Sequence, residues 1–274
     1  ASDVYKRQDL RNTTSGGVDG ENLVMPSGWR FYNGYFVGST ARLSSADLSG
    51  ADLSGMNLSY VNFNYANLSN ANFTGTKLYA AELYASNFSG AVLDGVSSGG
   101  IANSPSYFPS RWSFANGYLI GPKADLRGAS LTYSGLNSRD FSGANLTGAN
   151  LRGSNLYASN FVGANLTNVD LFRTDLREVD FTGANLDHTE LSMTQLYNTN
   201  FTDATLISVN RGCWDWWQCG YWGVNGPITF YNTKGKDLSG SFNMPSGWQI
   251  ISGYLLGSTA NLSSMEISGV NFLS

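Results

Sequence analysis

The chain is predicted to be all-β, a solenoid whose coil is a quadrilateral of four five-residue steps. Three observations predict it. From Ala124 to Leu206 every fifth residue is Leu or Phe without a break, from Leu126, Leu131 and Leu136 through Leu196 and Leu206. Two residues before these centres sits a small or β-branched residue, such as Ala124, Ala129, Ser134, Ala144, Val169 or Thr174, with Arg139 the one misfit. Phe141, Phe161, Phe181 and Phe201 recur every twenty residues. A helix repeats every 3.6 residues and a strand every 2, so neither keeps one face buried at a period of five. A coil with a corner every five residues does. Twenty is four fives, so Phe stacks on Phe along one wall and Leu on Leu along the other three. With coils ~4.8 Å apart, the seventeen centres make about four coils and a rod of roughly 20 Å.

These residues resemble the pentapeptide-repeat family, A-(N/D)-L-x-x, as in Ala144-Asn145-Leu146-Thr147-Gly148. The resemblance covers a little over half the chain and implies a right-handed quadrilateral β-helix. Its implication for function is weaker, since most such proteins have no known activity. The best-known activity is gyrase inhibition by mimicry of the DNA duplex.

Taken in order, residues 1–23 hold an adapter-like start and the tail of a preceding solenoid. Asp3-Val4-Tyr5-Lys6-Arg7-Gln8 looks like a translated sequencing-library adapter, the mark of a metagenome-derived reading frame. Leu10 reads as the last centre of an earlier coil, because the shift that lays Trp29 on Trp112 also lays Asp9-Leu10 on Val92-Leu93. Residues 24–40 are a first cassette, with Asn33-Gly34 between aromatic and β-branched runs, the signature of a two-residue β-hairpin. Solenoid 1 spans 41–95, a linker and second cassette 96–123, and solenoid 2 124–208. A Cys/Trp-rich insert fills 209–243, a third cassette 244–259, and a further solenoid starts at 260–274. Trp and Tyr of each cassette (Trp29 and Tyr35, Trp112 and Tyr118, Trp248 and Tyr254) are expected to cap the open apolar end of the coil that follows. The competing reading makes the three Trp ligand platforms.

Composition narrows the function. Lys plus Arg is 16 against Asp plus Glu 20, a net charge of −4, which excludes a basic nucleic-acid surface and gives little support to a strongly acidic DNA mimic. No apolar run approaches the ~18 residues of a membrane span. Gly, at 32 residues, is abundant, as tight corners require.

No catalytic constellation, cofactor motif or metal-ligand set emerges. His188, the one His, falls at a variable corner. Asn145, Asn165 and Asn185 read as a ladder serving the turn backbone. Asp19-Gly20-Glu21-Asn22 is a weak calcium motif, its counterpart Ala102-Asn103-Ser104 lacking a carboxylate. Cys213 and Cys219 are expected to form a disulfide, which implies an oxidising compartment. The aromatics around them (Trp214, Trp216, Trp217, Tyr221 and Trp222) either cap the last coil or contact carbohydrate or protein. The Asn-Leu-Ser/Thr sequons are generated by the repeat itself. The expectation is a non-catalytic structural protein, extracellular or on the cell surface, forming a stalk or filament by end-to-end stacking with itself or contacting neighbouring surface proteins. The alternatives are a carbohydrate- or protein-binding module using the Trp-rich loop, and a gyrase-binding DNA mimic.

Overall fold

One pentapeptide accounts for the whole architecture once its five N–H groups are followed. In the computed structural model, Ala144 N–H donates to the Phe141 carbonyl (2.9 Å) and closes a turn. Asn145 N–H reaches back one coil to the Ala124 carbonyl (2.9 Å), and Leu146 N–H reaches forward to Asn165 (2.8 Å). Thr147 N–H donates to the side-chain Oδ1 of Asn145 (3.1 Å), and Gly148 N–H to the Thr167 carbonyl (2.9 Å). Every donor is satisfied, as a buried or half-buried backbone requires. Where Asn or Asp precedes the centre, its side chain supplies the one acceptor that neighbouring coils do not reach. Gly148 sits at φ 68°, and the same left-handed corner is held by Tyr133, Ser138 and Arg173 elsewhere.

The structure describes residues 12–17 and 24–206, together with the backbone of 229–231, 249–251 and 254–256. Among the described residues the regular structure is all strand or bridge. Parallel bridges join Asn145 to Asn165 and Asn165 to Asn185, so a coil is twenty residues. Between Asn145 and Asn165 four turns close, from Leu146 to Ala149, Leu151 to Ser154, Leu156 to Ser159 and Phe161 to Ala164. The protein is thus a parallel β-helix.

Centres and small residues point inward together. Phe141, Phe161 and Phe181 are fully buried, and their rings stack at 4.6 and 5.2 Å, with Phe181 to Phe201 at 5.1 Å. The spacing of coils and the spacing of stacked rings are nearly equal, so one aromatic wall fits without strain. Where Ser or Thr replaces the small Ala, its buried hydroxyl donates to a carbonyl, as Ser159 does to Leu136 (2.8 Å) and Thr199 to Leu176 (2.9 Å). Arg139 keeps the turn bond to Leu136 (3.3 Å), while its Nε is buried without a partner. In the first block Phe63, Phe73 and Phe88 meet at mixed angles, because their spacing is not twenty.

Among the described residues the strands pair as three antiparallel hairpins and two parallel couples. Strands β1 (Arg30–Tyr32) and β2 (Tyr35–Val37) pair antiparallel. In the next pair, β3 (Lys77–Tyr79) and β4 (Ser97–Gly99) are parallel neighbours one coil apart. Strands β5 (Ser113–Ala115) and β6 (Tyr118–Ile120) form the second hairpin. Strand β7 (Gln195–Tyr197) pairs parallel with β8 (Thr229–Tyr231), and β9 (Gln249–Ile251) with β10 (Tyr254–Leu256) makes the third hairpin. Asn33 and Gly34 at φ 46° and 84°, and Asn116 and Gly117 at 47° and 81°, adopt the mirror-image turn that two-residue hairpins need.

The sequence reading separates two solenoids at the second cassette; the hydrogen-bonded ladder does not. One column runs Asn57, Lys77, Ser97, Asp125, Asn145, Asn165, Asn185, Thr205 without interruption. A plain coil would bring Ser97 to Gly117, yet its partner is Asp125, so this coil is enlarged and the second hairpin lies within it. Seven steps at ~4.8 Å make this column about 34 Å long. The interior does divide, into a cluster from Val37 to Leu119 and another from Ile120 to Leu206. Likewise Gln195 pairs with Thr229, well past the position one plain coil on, so the ladder resumes after the insert. Backbone pairing needs only one wall to stay in register, which a five-residue hydrophobic period cannot reveal.

Candidate functional site

The hairpins meet the coil through named contacts. In the first, Pro26 and Trp29 close a turn (3.1 Å) with Gly28 at φ 82°. The Trp29 ring lies flat on Gly38, where a Cβ would come within 2.3 Å of it. Tyr35 lies over Gly16, and Phe36 N–H donates to the Ser15 hydroxyl (2.7 Å). The second hairpin repeats each of these. Trp112 lies on Gly121, Tyr118 on Gly99, and Leu119 N–H donates to Ser98 (2.9 Å). The ladder bonds repeat as well. Asn12 N–H to Thr40 and Arg42 N–H to Thr13 (3.2 and 2.9 Å) match Gly95 N–H to Lys123 and Asp125 N–H to Val96 (2.9 Å each).

The two hairpins differ in what they cover. Trp29, Tyr32 and Tyr35 pack on the first core alone. Trp112 packs on both cores, with Phe114 on the first and Tyr118 on the second. Trp112 and Tyr118 are thus a wedge between coils, not the end cap that the sequence suggests, because the chain passes the hairpin and keeps its ladder.

Sealing of the first coil edge falls to residues that sequence reasoning missed. In the repeat, the carbonyls of Asp47, Ser49, Asp52 and Ser54 are those that accept from a preceding coil. Here Asn33 Nδ2 donates to Asp47 (3.3 Å) and the Tyr32 hydroxyl to Ser49 (2.8 Å). Arg30 donates to Asp52 (2.5 Å) and Ser54 (2.9 Å). Side chains here donate to carbonyls that elsewhere in the ladder accept from backbone N–H groups. In the second hairpin Ser113 and Ala115 align with Arg30 and Tyr32, while Asn116 matches Asn33; the two changes are legible in the sequence but uninterpretable without the edge.

The remaining site candidates scatter. His188 is exposed at a left-handed corner, its Nδ1 2.7 Å from Asp187 Oδ1. The Oδ1 atoms of Asn145, Asn165 and Asn185 each accept a turn N–H, at 3.1, 3.0 and 3.0 Å. Cys213, Cys219, Trp214, Trp216, Trp217, Tyr221, Trp222 and Trp248 lie outside the described residues, as do Leu10 and Asp19 to Asn22; Tyr254 is described only in its backbone. No cluster of metal-ligating side chains forms among the described residues.

The carboxylates in the ladder are perturbed locally. The Ser49 hydroxyl and N–H hold Asp47 below its ordinary 3.8, and Ser54 does the same for Asp52. Arg127 holds Asp125 down. Burial pushes Asp175 up, but the bonds from Arg177 outweigh it. Glu178 beside Tyr157 holds that phenol up. These are turn and corner interactions and converge on no cleft.

The exposed aromatics do converge. Tyr60 and Tyr79 meet edge to face at 5.7 Å on one corner, and Tyr65 and Tyr84 at 5.4 Å on the next. Between the corners, Glu82 Oε2 accepts from both Asn62 and Asn64 amides at 2.7 Å. A sequence signal existed: Tyr60, Tyr65, Tyr79 and Tyr84 all fall at corner positions of two successive coils.

Known proteins corroborate the repeat. The family described as pentapeptide repeats matches in eight copies, over residues 39–75, 57–95, 140–171 and 164–203. Residues 39–95 and 140–203 of the chain are pentapeptide repeats of that family. No curated protein matches it. Among solved structures, this pentapeptide-repeat chain is similar to HetL from the cyanobacterium Nostoc sp. strain PCC 7120, involved in heterocyst differentiation regulation. Identity is 24%, covering 63% of this chain and 81% of that one, with a TM-score of 0.19. A pentapeptide-repeat protein from the Arabidopsis thaliana thylakoid lumen shares 21% identity over 43% of this chain and 68% of its own, with a TM-score of 0.23. QnrB1, a plasmid-mediated fluoroquinolone resistance protein, shares 17% over 72% and 92%, with a TM-score of 0.26. At these scores the repeat match carries the assignment.

Proposed function

We propose that this pentapeptide-repeat protein is a non-catalytic structural segment, a stiff rod in which coils and hairpin joints alternate. Its coil is right-handed and four-sided, a reading supported by the family and by four turns in each twenty residues. The observation that carries the proposal is the joint built twice. The rung from Asn12 to Thr14 docks before the first hairpin as the rung from Gly95 to Ser97 docks before the second, with the same ladder bonds, Ser hydroxyl and Trp-on-Gly contact. A joint that keeps one wall hydrogen-bonded resists bending, unlike an exposed linker with few contacts across it.

The setting we propose is extracellular or on the cell surface, with the protein itself, stacked end to end, or neighbouring surface proteins as partners. The pair Cys213 and Cys219 supports an oxidising setting. Small-angle scattering with electron microscopy tests the rod. A straight particle of constant cross-section, forming longer end-to-end species as concentration rises, is expected. A particle that bends at the second hairpin, or a monomer at every concentration, overturns the structural reading. A thiol titration finding two reactive thiols in the native protein overturns the proposed setting.

A further inference from the structure

We propose that the face between the Tyr60/Tyr79 and Tyr65/Tyr84 corners binds a neutral, hydroxyl-rich glycan chain. The four rings are 50–60% exposed, although each has a ring partner one coil away. Edge-to-face pairing fixes each ring while leaving much of it to solvent. Tyr60 and Tyr65 also occupy left-handed corners, at φ 61° each, where Gly50, Gly55 and Gly75 serve elsewhere in this block. That backbone costs an L-residue roughly 1–2 kcal/mol, and an exposed ring returns little of it to the fold.

The layout selects the ligand. A protein interface has an apolar centre and a polar rim. This face is the reverse: aromatic at both edges, with Glu82, Asn62 and Asn64 between them. Glu82 Oε2 is fixed by two amides, and Oε1 has no partner among the described residues. Two further bonds hold the centre still. Asn62 Oδ1 accepts the Asn64 N–H (3.0 Å), and Asn64 Oδ1 accepts the Tyr84 N–H (2.9 Å). A sugar ring offers the complementary chemistry, with C–H groups on its faces to lie against aromatic rings and hydroxyls on its rim to donate to a held carboxylate. Tyr60 and Tyr65 are five residues apart, less than about 17 Å even fully extended, so one short oligosaccharide reaches both corners. Among the described residues this ladder carries Arg42, bridged to Asn62 one coil below, and Lys77 stands two residues before Tyr79 on the adjoining ladder, too little charge for a nucleic acid. The site is built from residues 60–84 and does not depend on the rod proposal.

The test is calorimetric titration of the full chain with cellohexaose, chitohexaose and laminarihexaose. At least one is expected to bind. The double variant Tyr65→Ala/Tyr84→Ala is expected to weaken it by roughly tenfold or more, the loss of one stacking platform. Tyr65→Phe/Tyr84→Phe, which keeps the rings, should retain binding, and Glu82→Gln should weaken it several-fold. Tyr133→Ala, at an exposed corner of the other block, should change nothing. The proposal is overturned if none of the three sugars binds. It is also overturned if binding persists unchanged in the double alanine variant, or if the tyrosines instead support only self-association that the same variant abolishes.

Discussion

Gly121→Ala is the sharpest probe of the joint. An alanine Cβ there would stand 2.2 Å from Trp112 Cδ2, 2.5 Å from Cε2 and 2.6 Å from Cε3. Carbon atoms pack at about 3.5 Å or more, so the ring must retreat by roughly 1.3 Å. Trp112 packs on two cores, so a shift of the ring loses contacts on both. Overpacking of this kind costs about 1–3 kcal/mol, and the upper end is expected here. At ~2–4 °C per kcal/mol for a chain of this size, the unfolding temperature should fall by about 6–12 °C. Gly38→Ala presses on Trp29 in the same way (2.3 Å), but that ring contacts one core, so a smaller fall is expected. Thermal unfolding followed by circular dichroism is the assay, with Trp112→Ala and the double variant closing a cycle. Once the ring is gone, Gly121→Ala should be nearly silent. A loss under about 0.5 kcal/mol in the parent, or an equal loss in the Trp112→Ala background, would refute the wedge.

Other outcomes follow from the same structure. Phe161→Ala, in the middle of the ring stack, should cost about 3–5 kcal/mol and Phe161→Leu far less, as urea unfolding would read. Ser138→Gly should stabilise by about 1 kcal/mol and Gly148→Ala destabilise by a similar amount, because both sit at left-handed corners; equal and opposite shifts in unfolding midpoint check this. The unfolding temperature should stay level from neutral pH to about pH 5 and drop below about pH 4. Asp47, Asp52, Asp125 and Asp175 are depressed in the folded chain, so their contribution is present above the ordinary 3.8 and is lost as pH falls through the lowered values. A decline beginning near neutrality would contradict that assignment.

What the sequence determined by itself is whatever repeats. The Leu and Phe centres, the small residue before them and the twenty-residue return of Phe141, Phe161, Phe181 and Phe201 follow from local turn chemistry and a one-sided interior, and both act every five residues. The Asn-Gly hairpin turns were legible for the same reason, since two positive φ angles in a row leave few choices. Only the tertiary structure decided how the pieces join. Ser97 meets Asp125 across an inserted hairpin, Arg30 reaches the carbonyls of Asp52 and Ser54, and Tyr60 finds Tyr79. Each contact occurs once or twice, and of these only the tyrosine pair joins positions that the period brings near. The bonds of a coil lie between successive turns of the chain. A sequence shows which residues face inward, but the partner across the next coil is set only when the register closes.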